Sequence, residues 1–240
     1  MMWMAVFLIA MLAGSVQAVT GFGAGIEMML VLPNFFDLLT APALSSAIAL
    51  ALNTSLAFRF RKYIRWNLVL LPAVMYTVAS VITIRLVGGL DLDILELAFG
   101  IFLVCLSIYF MCFSKKVAVQ ATPVSASVCA LVSGVCSGLF GIGGPLMAIY
   151  FLAAVKEKEE YVGCTQFVFS STSVVNLLMR LRMGIYTVDM IPMTLLGMLA
   201  ITLGKLGGLK VLERLNADML KKVIYVFVGI SGLLTILRHV

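Results

Sequence analysis

Charge is scarce in this chain, and histidine is almost absent. Asp, Glu, Lys and Arg together make up 12% of its 240 residues, and the single histidine, His239, stands beside the last residue. So few charges cannot build a water-facing shell when 62% of the residues are hydrophobic and mean hydropathy is +1.14. Burial saturates near about 75% of the unfolded surface even in large soluble domains, so the remainder would expose mostly Leu, Val, Ile and Met. The five cysteines, at 105, 112, 129, 136 and 164, are odd in number, lie in or beside apolar runs and form no Cys-x-x-Cys pair. A disulfide framework and a zinc site are thereby excluded. No nucleophile and base stand together and no His-rich motif exists, so neither an enzyme, a metal nor a cofactor is expected. The net charge of +6, from 17 Lys+Arg against 11 Asp+Glu, falls in short clusters between apolar runs, which reports membrane topology and no nucleic-acid partner.

What the chain does have is long apolar runs. Stretches near 20 residues, enough at 1.5 Å per residue to cross a core about 30 Å thick, occur at 40–58, 67–88, 94–113, 163–180, 188–207 and 220–237. Two more apolar segments, 2–39 and 125–155, are interrupted by glycine. In the second, Ser125 to Gly138 spans about 21 Å of helix and Pro145 to Val155 about 16 Å, so each piece reads as a half-helix too short to cross alone. The first run ends in Val16-Gln17-Ala18, which resembles a signal cleavage site. No basic residue precedes it and it continues into a glycine motif, so an uncleaved segment is expected.

The chain repeats itself. Gly14-x-x-x-Ala18-x-x-Gly21-x-Gly23-Ala24-Gly25 has the spacing of Gly134-x-x-x-Gly138-x-x-Gly141-x-Gly143-Gly144-Pro145, at an offset of 120. Asn53, Arg59 and Tyr63 recur as Asn176, Arg182 and Tyr186, at an offset of 123. Internal duplication accounts for both, with a first transmembrane repeat at 1–113, a cytoplasmic linker at 114–124 and a second repeat at 125–240. If each broken segment crossed once, the repeats would be parallel and nine basic residues would lie inside against eight outside. If each enters and returns to its own side, the second repeat is inverted. Thirteen basic residues (59, 61, 62, 65, 115, 116, 156, 158, 205, 210, 214, 221 and 222) then face the cytoplasm, against Arg85, Arg180, Arg182 and Arg238 outside. The positive-inside rule selects this arrangement, with both termini external. The fold class expected is therefore an all-α membrane protein of two inverted repeats, each a broken glycine-rich helical hairpin followed by three transmembrane helices.

A lone Gly-x-x-x-Gly marks close helix packing. Two dense copies, Gly21-Phe-Gly-Ala-Gly and Gly141-Ile-Gly-Gly-Pro, instead break the helix, because each Gly costs about 1 kcal/mol against Ala and Pro removes a donor. Broken backbone at membrane depth persists only where protein or a water-filled cavity satisfies it, as at half-helix substrate sites. Two half-helix N-termini would form an anion site without a buried cation, and no basic residue is expected deep in any span. Substrate contacts are therefore expected from Gly21, Gly23, Gly25, Gly141, Gly143 and Gly144, from Asn53 and Asn176, and from Gln17, Thr20, Gln166 and Ser170. Packing hydrogen bonds are the competing account of the polar side chains. Arg59 and Arg182 lie nearer the surface and read as interfacial anchors, as do Trp3, Tyr63 and Trp66. Glu27, the one acid well inside an apolar stretch, is either a coupling group or a carboxylate favoured by a helix start. Its counterpart at offset 120 is Met147.

The duplicated glycine motif, the midpoint linker, the repeated Asn and Arg and the overall size resemble the TauE/SafE family of sulfite-exporter-like transporters, over essentially the whole chain. The resemblance implies secondary active transport of small anions, often sulfur-containing (sulfite, sulfonate, sulfoacetate), across the cytoplasmic (inner) membrane by alternating access, with proton coupling. Ala18 and Ala24 depart from Gly138 and Gly144, which makes unequal half-sites an expectation. The alternatives are a passive anion channel and a non-transporting membrane assembly protein. The partners implied are a small anion and the lipid bilayer, with a homo-oligomer left open.

Overall fold

The computed structural model describes residues 1–108, 121–212 and 233. These residues are helical, with no strand among them. In chain order the helices are α1 (Met2–Thr20), α2 (Ala24–Val31), α3 (Thr40–Arg59), α4 (Trp66–Val87), α5 (Leu92–Ile108), α6 (Pro123–Phe140), α7 (Gly144–Ala154), α8 (Lys158–Arg182) and α9 (Ile191–Leu212). Among the described residues six segments are long and apolar enough to cross a membrane: Met2–Thr20, Thr40–Arg59, Trp66–Val87, Pro123–Phe140, Lys158–Arg182 and Val188–Gly207. The chain is thus a multi-pass membrane protein. Exposed stripes such as Leu70, Val74, Val78 and Ile82 on α4, each more than half accessible, suit a lipid solvent and not water.

Two bodies make up the chain. The first comprises residues 1–88 and 119–209 and carries everything described below; the second comprises 89–118 and 210–240, with α5 as its described helix. The span expected at 220–237 and most of the linker at 114–124 lie outside the described residues, as does the end of the span expected at 94–113. A capping box opens α6, in which the Thr122 side chain accepts from the Ser125 amide while the Ser125 hydroxyl accepts from the Thr122 amide.

Both glycine motifs break their helices at the same place. Gly21 (φ 80°) and Gly141 (φ 69°) end α1 and α6 in the left-handed conformation, which glycine adopts without a Cβ penalty. Gly23 and Gly143 then open α2 and α7. After each break the chain folds back: the Ala24 amide hydrogen-bonds the Gln17 side chain, and a Cβ on Gly143 would stand 2.5 Å from the Ser133 carbonyl. The expectation that the pieces before the breaks are too short to cross is corrected here. α1 and α6 have 19 and 18 residues, about 27 Å or more, because Pro123 at the first turn and the left-handed glycine at the end extend α6 beyond its apolar core on both sides. Only α2 and α7 are short, with 8 and 11 residues.

Helix α3 runs antiparallel to α8. Leu39, before α3, meets Arg180; Thr54 meets Ser170; and past the end of α3 Arg65 meets Glu160. A second pair of contacts is reciprocal between the halves. Gly14 of α1 packs against the Ile201 backbone of α9, and Gly134 of α6 packs against the Tyr76 backbone of α4. Gly14 and Gly134 are 120 residues apart, while Tyr76 and Ile201 are 125 apart, as are the first residues of α4 and α9. The first helix of each half therefore packs on the fourth helix of the other in the same register. In both places the missing Cβ is what lets the backbones touch.

Candidate substrate-binding site

The two breaks meet. A Cβ on Gly25 would stand 2.6 Å from the Gly141 carbonyl, and one on Gly144 would stand 3.2 Å from Cβ of Phe22. Beside this junction lies a cavity of about 60 Å³, room for a few waters or one small tetrahedral anion. Its backbone wall is Gly23, Gly25, Gly141, Gly143 and Gly144, with Ile26, Ile142 and Pro145. Its polar wall comes from Gln17 (α1), Ser45, Ser46 and Asn53 (α3), Tyr76 (α4), Ser137 (α6), and Thr172 and Ser173 (α8), closed by Ala49 and Phe169. Both halves contribute, and several lining residues correspond: Gln17 to Ser137 at offset 120, Ser46 to Phe169 and Ala49 to Thr172 at offset 123.

A buried amide network holds the first break. Gln17 donates from Nε2 to Asn53 Oδ1 (2.6 Å) and Gln166 Oε1 (3.2 Å), and accepts from the Ala24 amide at Oε1 (3.1 Å). Gln166 in turn donates to the Gly21 carbonyl (2.7 Å), and Tyr161 donates to the Thr20 carbonyl. These donors satisfy carbonyls that the end of α1 leaves without helical partners. At the second break Arg180 does this, donating to the Gly138 carbonyl at 2.9 Å.

The expected site residues divide accordingly. Gly23, Gly25, Gly141, Gly143, Gly144, Asn53 and Gln17 line the cavity. Gly21 is enclosed by Tyr161, and Thr20 bonds its own turn through the Val16 and Phe22 carbonyls. Gln166 stands behind Gln17, Ser170 bonds Thr54, and Asn176 is buried one turn beyond Ser173 with Oδ1 unpartnered. Glu27 is buried, with Oε2 unpartnered, and its carboxyl oxygens would be 3.2 and 3.3 Å from a Cβ on Gly23. The carboxyl therefore lies over the first turn of α2. Among the described residues no group of acid, His and Cys side chains could hold a metal.

Arg180, two residues before the end of α8, is a buried cation at 1% exposed, which the sequence did not lead us to expect. Its spacing of four from Asn176 was the available signal, since i and i+4 share a helix face. Arg59 and Arg182 are exposed, as expected of anchors. Ser45, Ser46, Tyr76 and Ser137 were not anticipated. Extending the 120-residue offset from Gln17 would have found Ser137, whereas nothing in its apolar surroundings marks Tyr76.

A family model described as "Sulfite exporter TauE/SafE" matches residues 6–235. A probable membrane transporter protein of Methanocaldococcus jannaschii is 26% identical over 251 residues, covering 96% of this chain and 94% of its own. No solved structure matches.

Proposed function

Because this chain belongs to the sulfite exporter TauE/SafE family, a family of membrane transporters and not of enzymes, we propose that it is a secondary active transporter of small anions. Sulfite, sulfonates and sulfoacetate-like compounds are the substrate class, moved across the cytoplasmic membrane by alternating access. The carrying observation is the cavity at the junction of the two glycine breaks, which is lined by glycine backbone, uncharged polar side chains and apolar residues, with no charged side chain among them. Such a lining suits an anion that must bind and leave, since backbone N–H groups at a helix start stabilise negative charge without a fixed counter-ion.

The half-sites differ in use. At α2 the Ala24 amide is already taken by Gln17 and the Glu27 carboxyl covers the first turn. No side chain caps α7. The anion sits against the start of α7, with Ser137, Asn53 and Thr172 as side-chain donors. Glu27 competes for the positive end of α2, so protonating it makes the site more attractive to an anion. That is a route to proton coupling.

Inverted repeats are supported by the antiparallel run of α3 and α8 and by the reciprocal Gly14 and Gly134 contacts. The Arg65–Glu160 ion pair puts the 59–65 cluster beside Lys156 and Lys158, and Leu39 and Arg180 mark the opposite end. The basic clusters thus gather at one end, as a cytoplasmic face requires. Reconstitution into liposomes, with flux of sulfite, sulfoacetate, taurine, sulfate and small carboxylates measured with and without a pH gradient, tests the reading. Saturable, gradient-driven flux is expected, whereas unsaturable flux identifies a channel and no flux an assembly protein.

A further inference from the structure

Arg180 is a buried cation without a buried anion. Among the described residues the salt bridge found joins Arg65 to Glu160, and Arg180 is held only by two carbonyls. Nη1 donates to Leu39 at 3.0 Å, Nη2 donates to Gly138 at 2.9 Å, and Nε has no partner. Neutral oxygens leave its charge uncompensated, an expensive arrangement for a buried group, and in membrane proteins such groups mark the paths of ions.

Its position is between two voids. Thr172 and Ser173 line the central cavity, and Asn176 and Arg180 follow Thr172 by four and eight residues, one and two turns further on the same face of α8, about 6 and 12 Å along its axis. Leu39, which Arg180 holds, lines a second and more open recess of about 530 Å³ with Thr40, Leu44, Gly184 and Ile185. Adjacent residues of α3 face the two spaces, Leu44 the recess and Ser45 the cavity. Asp37, also at the recess, is engaged in capping α3 through the Leu39 and Thr40 amides.

The geometry points to Arg180 as the gate between the cavity and this recess, one that meets the anion only in transit. This rests on the anion-transport reading above. With the gate shut, the guanidinium ties Leu39, before α3, to Gly138, near the end of α6, and so joins the two halves. An anion passing Thr172 and Asn176 meets the Nε edge of the guanidinium. Charge-assisted, bidentate bonds to an oxyanion are about twice as strong as bonds to a neutral carbonyl, so the anion draws the fork off Leu39 and Gly138 and loosens the seal. Once it leaves toward the recess, the carbonyls take the fork back.

The test uses purified full-length protein, with sulfite and sulfoacetate as probes. Equilibrium binding is read by calorimetry in detergent and maximal flux in proteoliposomes, for wild type, Arg180→Gln and Arg180→Lys. Because Arg180 is not among the residues that line the cavity, the affinity of Arg180→Gln is expected within about three-fold of wild type while maximal flux falls at least about ten-fold. Arg180→Lys keeps the charge, loses the fork and falls between them. Unchanged flux in Arg180→Gln overturns the gate. So does a parallel loss of affinity and flux, or a failure of both variants to fold, either of which makes Arg180 a structural cation. A wild type that neither binds nor moves either probe removes the transport reading itself, an outcome distinct from an active wild type with an equally active Arg180→Gln.

Discussion

Gly25 touches Gly141. No side chain fits between the α2 backbone and the Gly141 carbonyl, since a Cβ at position 25 would come within 2.6 Å of that oxygen. The two broken hairpins, 120 residues apart in sequence, are thus in direct backbone contact at the cavity wall. Gly25→Val should force them apart and cost about 3 kcal/mol or more, as overpacking against an immovable backbone does. Gly144→Ala is the gentler probe. Its Cβ would meet Phe22 Cβ at 3.2 Å and Phe169 Cζ at 3.6 Å, with no positive φ to strain. Thermal unfolding in detergent should show a large fall for Gly25→Val and a small one for Gly144→Ala, and calorimetry should show weakened sulfite binding in the latter. Gly143 is unsuitable for this purpose because a Cβ there collides with Tyr76 Oη and the Ser133 carbonyl.

Gln17 is the hub of the first half-site. Gln17→Leu keeps the approximate volume but leaves the Ala24 amide, Asn53 Oδ1 and Gln166 Oε1 short of a partner. Each buried polar group so orphaned costs about 1–3 kcal/mol. Reduced thermal stability together with at least about ten-fold weaker sulfite binding is expected. A variant of wild-type affinity would show that the network serves only the fold.

Hydropathy made most of this fold legible, because an apolar solvent demands long helices and glycine pairs can only interrupt them. The breaks at Gly21–Gly23 and Gly141–Gly143 fall within the dense glycine motifs, Gly21–Gly25 and Gly141–Pro145, that the duplication marked. The reach of α6 was not, since a capping box and a proline extend a helix without adding apolar residues. The cavity was half legible. Its glycines and Asn53 carry a repeat signature, but Ser45, Ser46 and Tyr76 owe their place to how α3 and α4 pack, which single-helix periodicity does not contain. Arg180 was not singled out, because charge near a helix end usually snorkels. Here the Leu39 and Gly138 carbonyls cover it instead.

Sidedness distinguishes inverted from parallel repeats. Lys62 and Met183 are exposed beyond the ends of α3 and α8. In a background lacking the native cysteines, Lys62→Cys should react with a membrane-impermeant thiol reagent only from the cytoplasmic side and Met183→Cys only from the outside. Labelling of both from one side would sink the inverted arrangement.

Glu27 offers the test of coupling. Its carboxyl lies against the Gly23 turn, where α2 presents its positive end. Oε2 has no hydrogen-bond partner, and no basic side chain pairs with it among the described residues. A carboxylate there competes with a substrate anion for the same field, whereas a carboxylic acid does not. Binding an anion and binding a proton should then favour each other, which is linkage between two ligands of one site. Sulfite affinity should rise as pH falls, and it should do so because of this group. Glu27→Gln is neutral at every pH and close in shape. It should bind sulfite with an affinity near the low-pH wild type and independent of pH. Sulfite exchange between liposome interior and medium should persist, while accumulation driven by a pH gradient should fall by about ten-fold or more, since no proton moves with the anion. Retention of full pH-driven accumulation in Glu27→Gln would assign Glu27 to the α2 first turn alone.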